Sequence, residues 1–176
     1  MESIQTGTVL DNLQNMVTGE SSNGIPKGSL IVLAGDPDAD ACLELSRKLI
    51  KNKHVSTLLA DGTGTNYHLG SLSSPLVGTY SFEAAVMLIH QLRYDDLWDC
   101  IILHSLDTWN DWNEPGLAME LADSCHHSNL SVILHTMTMG EQPYFGDRIL
   151  RPWADVALRV GGQGDCSYLG GSTYRL

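Results

Sequence analysis

Strand and helix alternate along this chain, which predicts an α/β domain with a mainly parallel sheet and helices on both faces. Three observations carry that expectation. Several apolar runs are continuous and of strand length, as strands buried on both faces require. Stretches with helical spacing of apolar residues separate them. Near the end, a Gly-rich turn joins two more strands, which adds an antiparallel edge. The 176 residues suit one domain, and 43 % hydrophobic residues are enough to build a core.

The first run, Ser29–Ala34 (SLIVLA), is a buried strand. A helix over Asp38–Asn52 follows, with Leu43, Leu45, Leu49 and Ile50 on one face. His54–Ala60 is the second strand, and Gly62–Thr79, rich in Gly, Ser and Thr, is a loop. Ser81 has the side chain to cap a helix over Phe82–Arg93, where Phe82, Ala85, Val86, Ile89 and Leu92 recur at helical spacing. Trp98–His104 is the third strand. Asn113 is placed to cap a helix over Glu114–His127, with Pro115 in its first turn, where a missing N–H costs little. Ser131–Thr136 is the fourth strand, and Gly140–Arg151 a polar loop. Ala154–Val160 and Cys166–Tyr174 close the domain around the turn at 161–165. Residues 1–28 thus form a lead-in segment, 29–160 the core and 161–176 a terminal hairpin strand, with no internal repeat and no interdomain linker.

The net charge of −11 argues against a broad DNA-binding surface, which needs clustered Lys and Arg; only 10 are present. An acidic surface suits a basic protein partner better. No run is long enough for a membrane span or a signal peptide, so a cytoplasmic protein (nuclear in a eukaryote) is expected. Cys42, Cys100, Cys125 and Cys166 form no CxxC pair and are expected to be reduced.

The stretch from Thr6 to Leu49 carries the most information. It contains Thr6-Gly7, then Leu10-Asp11-x-Leu13, then Gly24-Ile25-Pro26-Lys27-Gly28-Ser29-Leu30, the first strand, and Gly35-Asp36-Pro37. This order resembles the start of the ATPase core in the RecA superfamily, in its RadA, KaiC and replicative-helicase branch. Further on, Trp98–Asp107 is similar to the family's Walker B strand, and Ala154–Val160 (ADVALRV) to its "ADVVLxLE" strand. The likeness spans nearly the whole chain. It implies a RecA-like twisted sheet.

The chemistry of that family is missing. A P-loop wraps phosphates with backbone N–H groups, reaches them with a Lys and holds Mg²⁺ with a Ser or Thr hydroxyl. Here the loop reads Gly35, Asp36, Pro37, Asp38, Ala39, Asp40, Ala41, Cys42. By the resemblance, Asp38 and Asp40 stand at inner glycines, Ala41 at the lysine and Cys42 at the metal-binding hydroxyl. Two carboxylates about 5 Å from a triphosphate repel it by roughly 1 kcal/mol or more per charge pair. The same resemblance puts His104 at the Walker B aspartate with Asp107 out of register, puts Asp61 in the region of the catalytic carboxylate, and puts Thr138 or Met139 at the fourth-strand-loop lysine. The expectation is a pseudo-ATPase with no nucleotide, metal or other cofactor. It would work in DNA recombination, repair or replication by docking on a recombinase, helicase or paralogue, or by self-assembly. Two alternatives stand beside it: residual nucleotide binding at an unorthodox site, and nucleic-acid binding through the 137–147 loop.

Other residues admit two readings. Asp36-x-Asp38-x-Asp40 lacks the Gly and Glu of an EF-hand, so helix-terminal charge explains it better than metal. His104 and His135 end neighbouring strands and are expected to approach, but no third zinc ligand is evident. Trp109 and Trp112 are either an apolar cluster folded back on the domain or anchors for a partner. Phe82-Glu83-Ala84-Ala85 matches the FxxA tether of recombinases, yet sits on an amphipathic helix face, where packing is expected.

Overall fold

The computed structural model describes residues 2–21, 23–36, 41–61, 76–78 and 81–172, with backbone alone at 41, 61 and 76–78. Pro37, Asp38 and Asp40, most of the Gly62–Thr79 stretch and the last four residues lie outside the described residues.

The lead-in segment is built on its own hydrogen bonds. Strand β1 (Ser3–Ile4) pairs antiparallel with β2 (Ile25–Pro26), and between them a short 3₁₀ turn (Val9–Asn12) runs into helix α1 (Leu13–Thr18). The Thr6-Gly7 and Asp11 signature is structural. One Asp11 oxygen accepts from the Thr6 amide at 2.6 Å and its hydroxyl at 2.8 Å, and the other from the Gly7 amide at 2.8 Å. Gly24 is required by close approach: with φ at 102°, a Cβ there would collide with the Ile4 carbonyl.

The core strands are β3 (Leu30–Gly35), β4 (Thr57–Asp61), β5 (Leu76–Gly78), β6 (Cys100–His104), β7 (Ser131–Met137), β8 (Val156–Val160) and β9 (Cys166–Gly170). They form one seven-stranded sheet in the order β5-β4-β6-β7-β3-β8-β9. All neighbours are parallel except β8 and β9, which are antiparallel. The α/β class, the parallel sheet and the antiparallel edge are therefore as expected.

Helices α2 (Ala41–Lys51), α3 (Phe82–Leu92), α4 (Leu117–His126) and the one-turn α5 (Asp147–Leu150) complete the layers. Residues alternate across the sheet with period two. Leu30, Val32, Ala34, Ile101, Leu103, Val132 and Leu134 face α3 and α4. Ile31, Leu33, Cys100, Ile102 and Ile133 face α1 and α2. Phe82 and Ala85 are fully buried in the first of these clusters, so the FxxA match is core packing.

Several strand ends shift, with β4 starting at Thr57, β6 at Cys100 and β9 ending at Gly170, and three further differences change an element. The fourth helix starts at Leu117, not Glu114, because Gly116 at φ 87° interrupts the turn that Asn113 was expected to cap. The loop expected over Gly62–Thr79 contains β5, three residues that gain their strand state only from pairing with β4. The polar loop at 140–151 contains α5 and is tied back by a bridge from Thr138 to Tyr144, whose ring is 1 % exposed. Among the described residues no helix is long and apolar enough to cross a membrane.

Candidate functional site

Because β3 to β8 run parallel, their carboxyl ends lie along one edge, with Gly35, Asp61, Gly78, His104, Met137 and Val160 as their last residues. The helix after β3 covers one face and the helix after β6 the other, so the ligand crevice of an open α/β sheet would fall along this edge. Open α/β sheets bind ligands at such a place.

Asp36 follows β3 directly into this crevice. Its carboxylate is gripped by Arg159 of β8, with Nε donating to one oxygen and a terminal guanidinium nitrogen to the other, both at 3.0 Å. The Thr138 hydroxyl donates to the same carboxylate at 3.2 Å. The Arg159 hydrogen bond holds the Asp36 carboxyl below the usual carboxylate range. Thus the one loop carboxylate among the described residues is neutralised from within the fold. Cys42, on the first turn of α2, tucks under the end of β3, where its thiol donates to the Leu33 carbonyl at 3.8 Å. A Cβ on Gly35 would lie 2.9 Å from the Cys42 sulfur, so the glycine makes room for this cysteine. Burial pushes the Cys42 thiol up to about 12, which keeps it a neutral thiol.

Deeper in the same edge lies a chain of polar groups. The Ser46 hydroxyl of α2 donates to the Cys42 carbonyl at 2.9 Å and meets His135 Nε2 at 2.8 Å. His135 Nδ1 meets His104 Nδ1 at 3.3 Å, and His104 Nε2 lies 3.3 Å from the Ser105 hydroxyl. The two histidines therefore do come together, as their adjacent strands predict. Their ring centroids are 5.6 Å apart. That distance is close to the nitrogen gap plus two ring radii, so the nitrogens point at each other, as in a hydrogen bond and not around a shared ion. Among the described residues no group of three His, Cys, Asp or Glu side chains is placed to hold a metal.

His135 is 3 % exposed, and burial pushes its pKa down to about 3, with His104 adding to the shift. Its ordinary value is near 6.5, so between roughly pH 3 and 6.5 the unfolded chain binds a proton that the native state refuses. Native stability is expected to fall on acidification across that window, with a contribution approaching about 1.4 kcal/mol per pH unit from this residue. Urea unfolding at pH 6.5 and pH 4.5 checks this: the loss should be clearly smaller in His135→Gln. Equal losses would show that His135 titrates normally.

The tryptophan loop separates into two cases. Trp109 is 1 % exposed, its ring 5.8 Å from that of Phe82, so it belongs to the core and presents no anchor at the surface. Trp112 is half-buried against Phe145 at 4.7 Å. With Asn113, Met139 and Ile149 it lines a groove of about 330 Å³, and Met139 is exposed. The loop is pinned by Asp111, whose two oxygens accept from the Phe82 and Glu83 amides at 2.7 and 3.1 Å, beside the Ser81 cap. Burial, the largest single influence, pushes the Asp111 carboxyl up, but the amide hydrogen bonds of Phe82, Glu83 and Asp111 itself together outweigh it and hold the carboxyl below its ordinary value.

Of the loop residues that the sequence singled out, Gly35, Asp36 and Cys42 line the described part of the crevice, Ala41 is described by backbone alone, and Pro37, Asp38 and Asp40 are outside it. His104 lies at the same edge. Sequence reasoning missed Arg159, whose signal was a lone charge in an otherwise apolar strand. It also missed Ser46 and Ser105, which carry no local signal. No family model matches the chain, and no curated protein sequence matches it.

Proposed function

We infer that this is a RecA-like domain that does not hydrolyse nucleotide, and that it serves as an accessory protein in DNA recombination, repair or replication by docking on an active recombinase or helicase. The observation that carries the reading is the state of the crevice. Where a P-loop would aim amides and a lysine at phosphates, Asp36 engages Arg159 and Thr138, and a buried thiol stands at the position of the metal-binding hydroxyl. The strand–helix unit is kept while the phosphate-binding groups are replaced, which suits a subunit used for its surface. Trp112 and Met139, at the mouth of their groove, are the aromatic and flexible apolar groups that protein interfaces favour. Residues 137–147 contain no Lys or Arg and two acids, so nucleic-acid binding by that loop is the weaker alternative.

Two measurements test the two halves of the reading. With millimolar ATP or GTP and Mg²⁺, thermal shift and calorimetry should be flat; a ligand at 100 times its Kd would stabilise by about 2.7 kcal/mol, and a saturable response of that kind sinks the non-binding claim. Affinity purification from the native cell should recover a RecA-type ATPase, and Trp112→Ala should lose it. Changing Asp38→Gly, Asp40→Gly, Ala41→Lys and Cys42→Thr together should leave that partner bound. Recovery of no such ATPase removes the basis for docking.

A further inference from the structure

Strand β9 ends the sheet, with β8 as its neighbour. The bonds around β8 fix which way its backbone groups point. The Asp36 amide, on the β3 side, donates to the Val160 carbonyl, and the Gly161 amide donates to the Asp165 carbonyl. Val160 opposite Cys166 is therefore a pair that exchanges no hydrogen bond. Arg159 opposite Ser167 is one that does, and Leu158 opposite Tyr168 is again one that does not. Hence the N–H and C=O groups of Cys166 and Tyr168 point away from β8, out of the edge of the sheet. Among the described residues no other segment hydrogen-bonds to them. The Cys166 side chain packs into the apolar cluster on the α1 and α2 face, while Ser167 is exposed and Tyr168 is 41 % exposed.

An edge with unpaired amides and carbonyls is ready to accept another strand, and proteins guard such edges with charges or proline. Cys166-Ser167-Tyr168-Leu169-Gly170 has neither. The irregularity in its pairing lies between Ala157 and Leu158, beyond the stretch from Cys166 to Tyr168. Charges of opposite sign stand at the two ends of the strand. Asp165 precedes it and is exposed. The Arg151 guanidinium lies at the other end, where a Cβ on Gly170 would come within 2.8 Å of it. Arg151 bonds to Asp147 yet keeps 43 % of its side chain exposed. Antiparallel pairing of this strand with itself sets each Asp165 beside the partner's Gly170 end, so the charges match at both ends. A strand from a basic protein would match one end and clash at the other.

We propose that β9 is a dimer edge, to which a second copy of this chain adds its own β9 antiparallel, about a two-fold axis at Ser167. That axis uses all the outward groups. Cys166 exchanges both backbone hydrogen bonds with the partner's Tyr168, and Tyr168 does so with the partner's Cys166. The two sheets become one continuous sheet. The edge shares no residue with the Trp112 groove, so the dimer and the docking reading fail separately.

Sedimentation equilibrium of the full chain tests this at about 0.15 M salt, where charges more than about 8 Å apart are largely screened. A reversible monomer–dimer equilibrium in the micromolar range is expected, and Trp112→Ala should leave it unchanged. Tyr168→Pro removes an outward N–H and no bond to β8, so it should give a monomer at every concentration with little change in Tm. Ser167→Lys sets two ammonium groups opposite each other at the axis and should weaken the dimer by about 10-fold or more. Ser167→Cys, oxidised with glutathione disulfide, should link the two copies through position 167. Residues in a pair without hydrogen bonds have Cα atoms about 4.5 Å apart, inside disulfide range. A wild-type chain that is monomeric at millimolar concentration overturns the proposal. So does a dimer that Tyr168→Pro and Ser167→Lys both leave intact, or one that cross-links only through other positions.

Discussion

Trp109→Ala is expected to destabilise the domain by about 3–5 kcal/mol, the range for deleting a large aromatic side chain from a packed core. The ring is fully enclosed and tilted at 54° against Phe82, itself at 0 % exposure. Nothing nearby can refill the volume cheaply. Leu106 is fixed by its 3₁₀ turn, and the Asp111 carboxylate holds the loop onto the start of α3. Denaturant unfolding measures the effect as a lower midpoint with little change in slope. A loss under 1 kcal/mol would show that Trp109 does not occupy the core. Trp112→Ala should behave in the opposite way: a smaller loss of stability, and the loss of partner binding described above.

Asp155→Ala is expected to cost about 3 kcal/mol from the other end of the sheet. The carboxylate has 0 % side-chain exposure, accepts from the Leu30 amide at 2.8 Å and meets His126 Nε2 at 2.9 Å. It therefore joins the first residue of β3, the segment before β8 and the end of α4. Removal leaves the Leu30 amide buried without its side-chain acceptor, a cost of about 1–3 kcal/mol, besides a lost hydrogen bond to a carboxylate worth about 1.5–3 kcal/mol. Asp155→Asn keeps one acceptor oxygen and should recover part of that loss. Urea melts of the two variants check the order; an alanine variant as stable as wild type would show that the three elements hold without this junction.

These junctions mark the limit of what could be read from the chain. The apolar runs at Ser29–Ala34, Trp98–His104 and Ser131–Thr136 each announce a strand, because a strand buried on both faces must be apolar throughout. Ser81 announces a helix start, and it does accept from the Ala84 amide. Neither signal says that β7 lies between β6 and β3, or that Asp111, about 30 residues on, shares the cap with Ser81. The cap and β5 both depend on partners distant in sequence, and local pattern holds no record of them.

The crevice divides in the same way. That residues 35–42 hold no lysine and no hydroxyl side chain is a fact of residue types, so the sequence alone determines it. The acidic balance and the parallel α/β architecture are equally matters of composition and periodicity. Only the tertiary structure decided where Asp36 turns, since the Arg159 that holds it lies 123 residues away on β8. Only the structure placed Trp109 inside and Trp112 at a groove, two residue positions with the same chemistry and nearly the same neighbours in sequence. The linked polar chain from Ser46 through His135 and His104 to Ser105 likewise exists because β6 and β7 are paired and α2 packs across them. Residue type fixes what a side chain is able to donate or accept, and the packing of distant segments fixes to what.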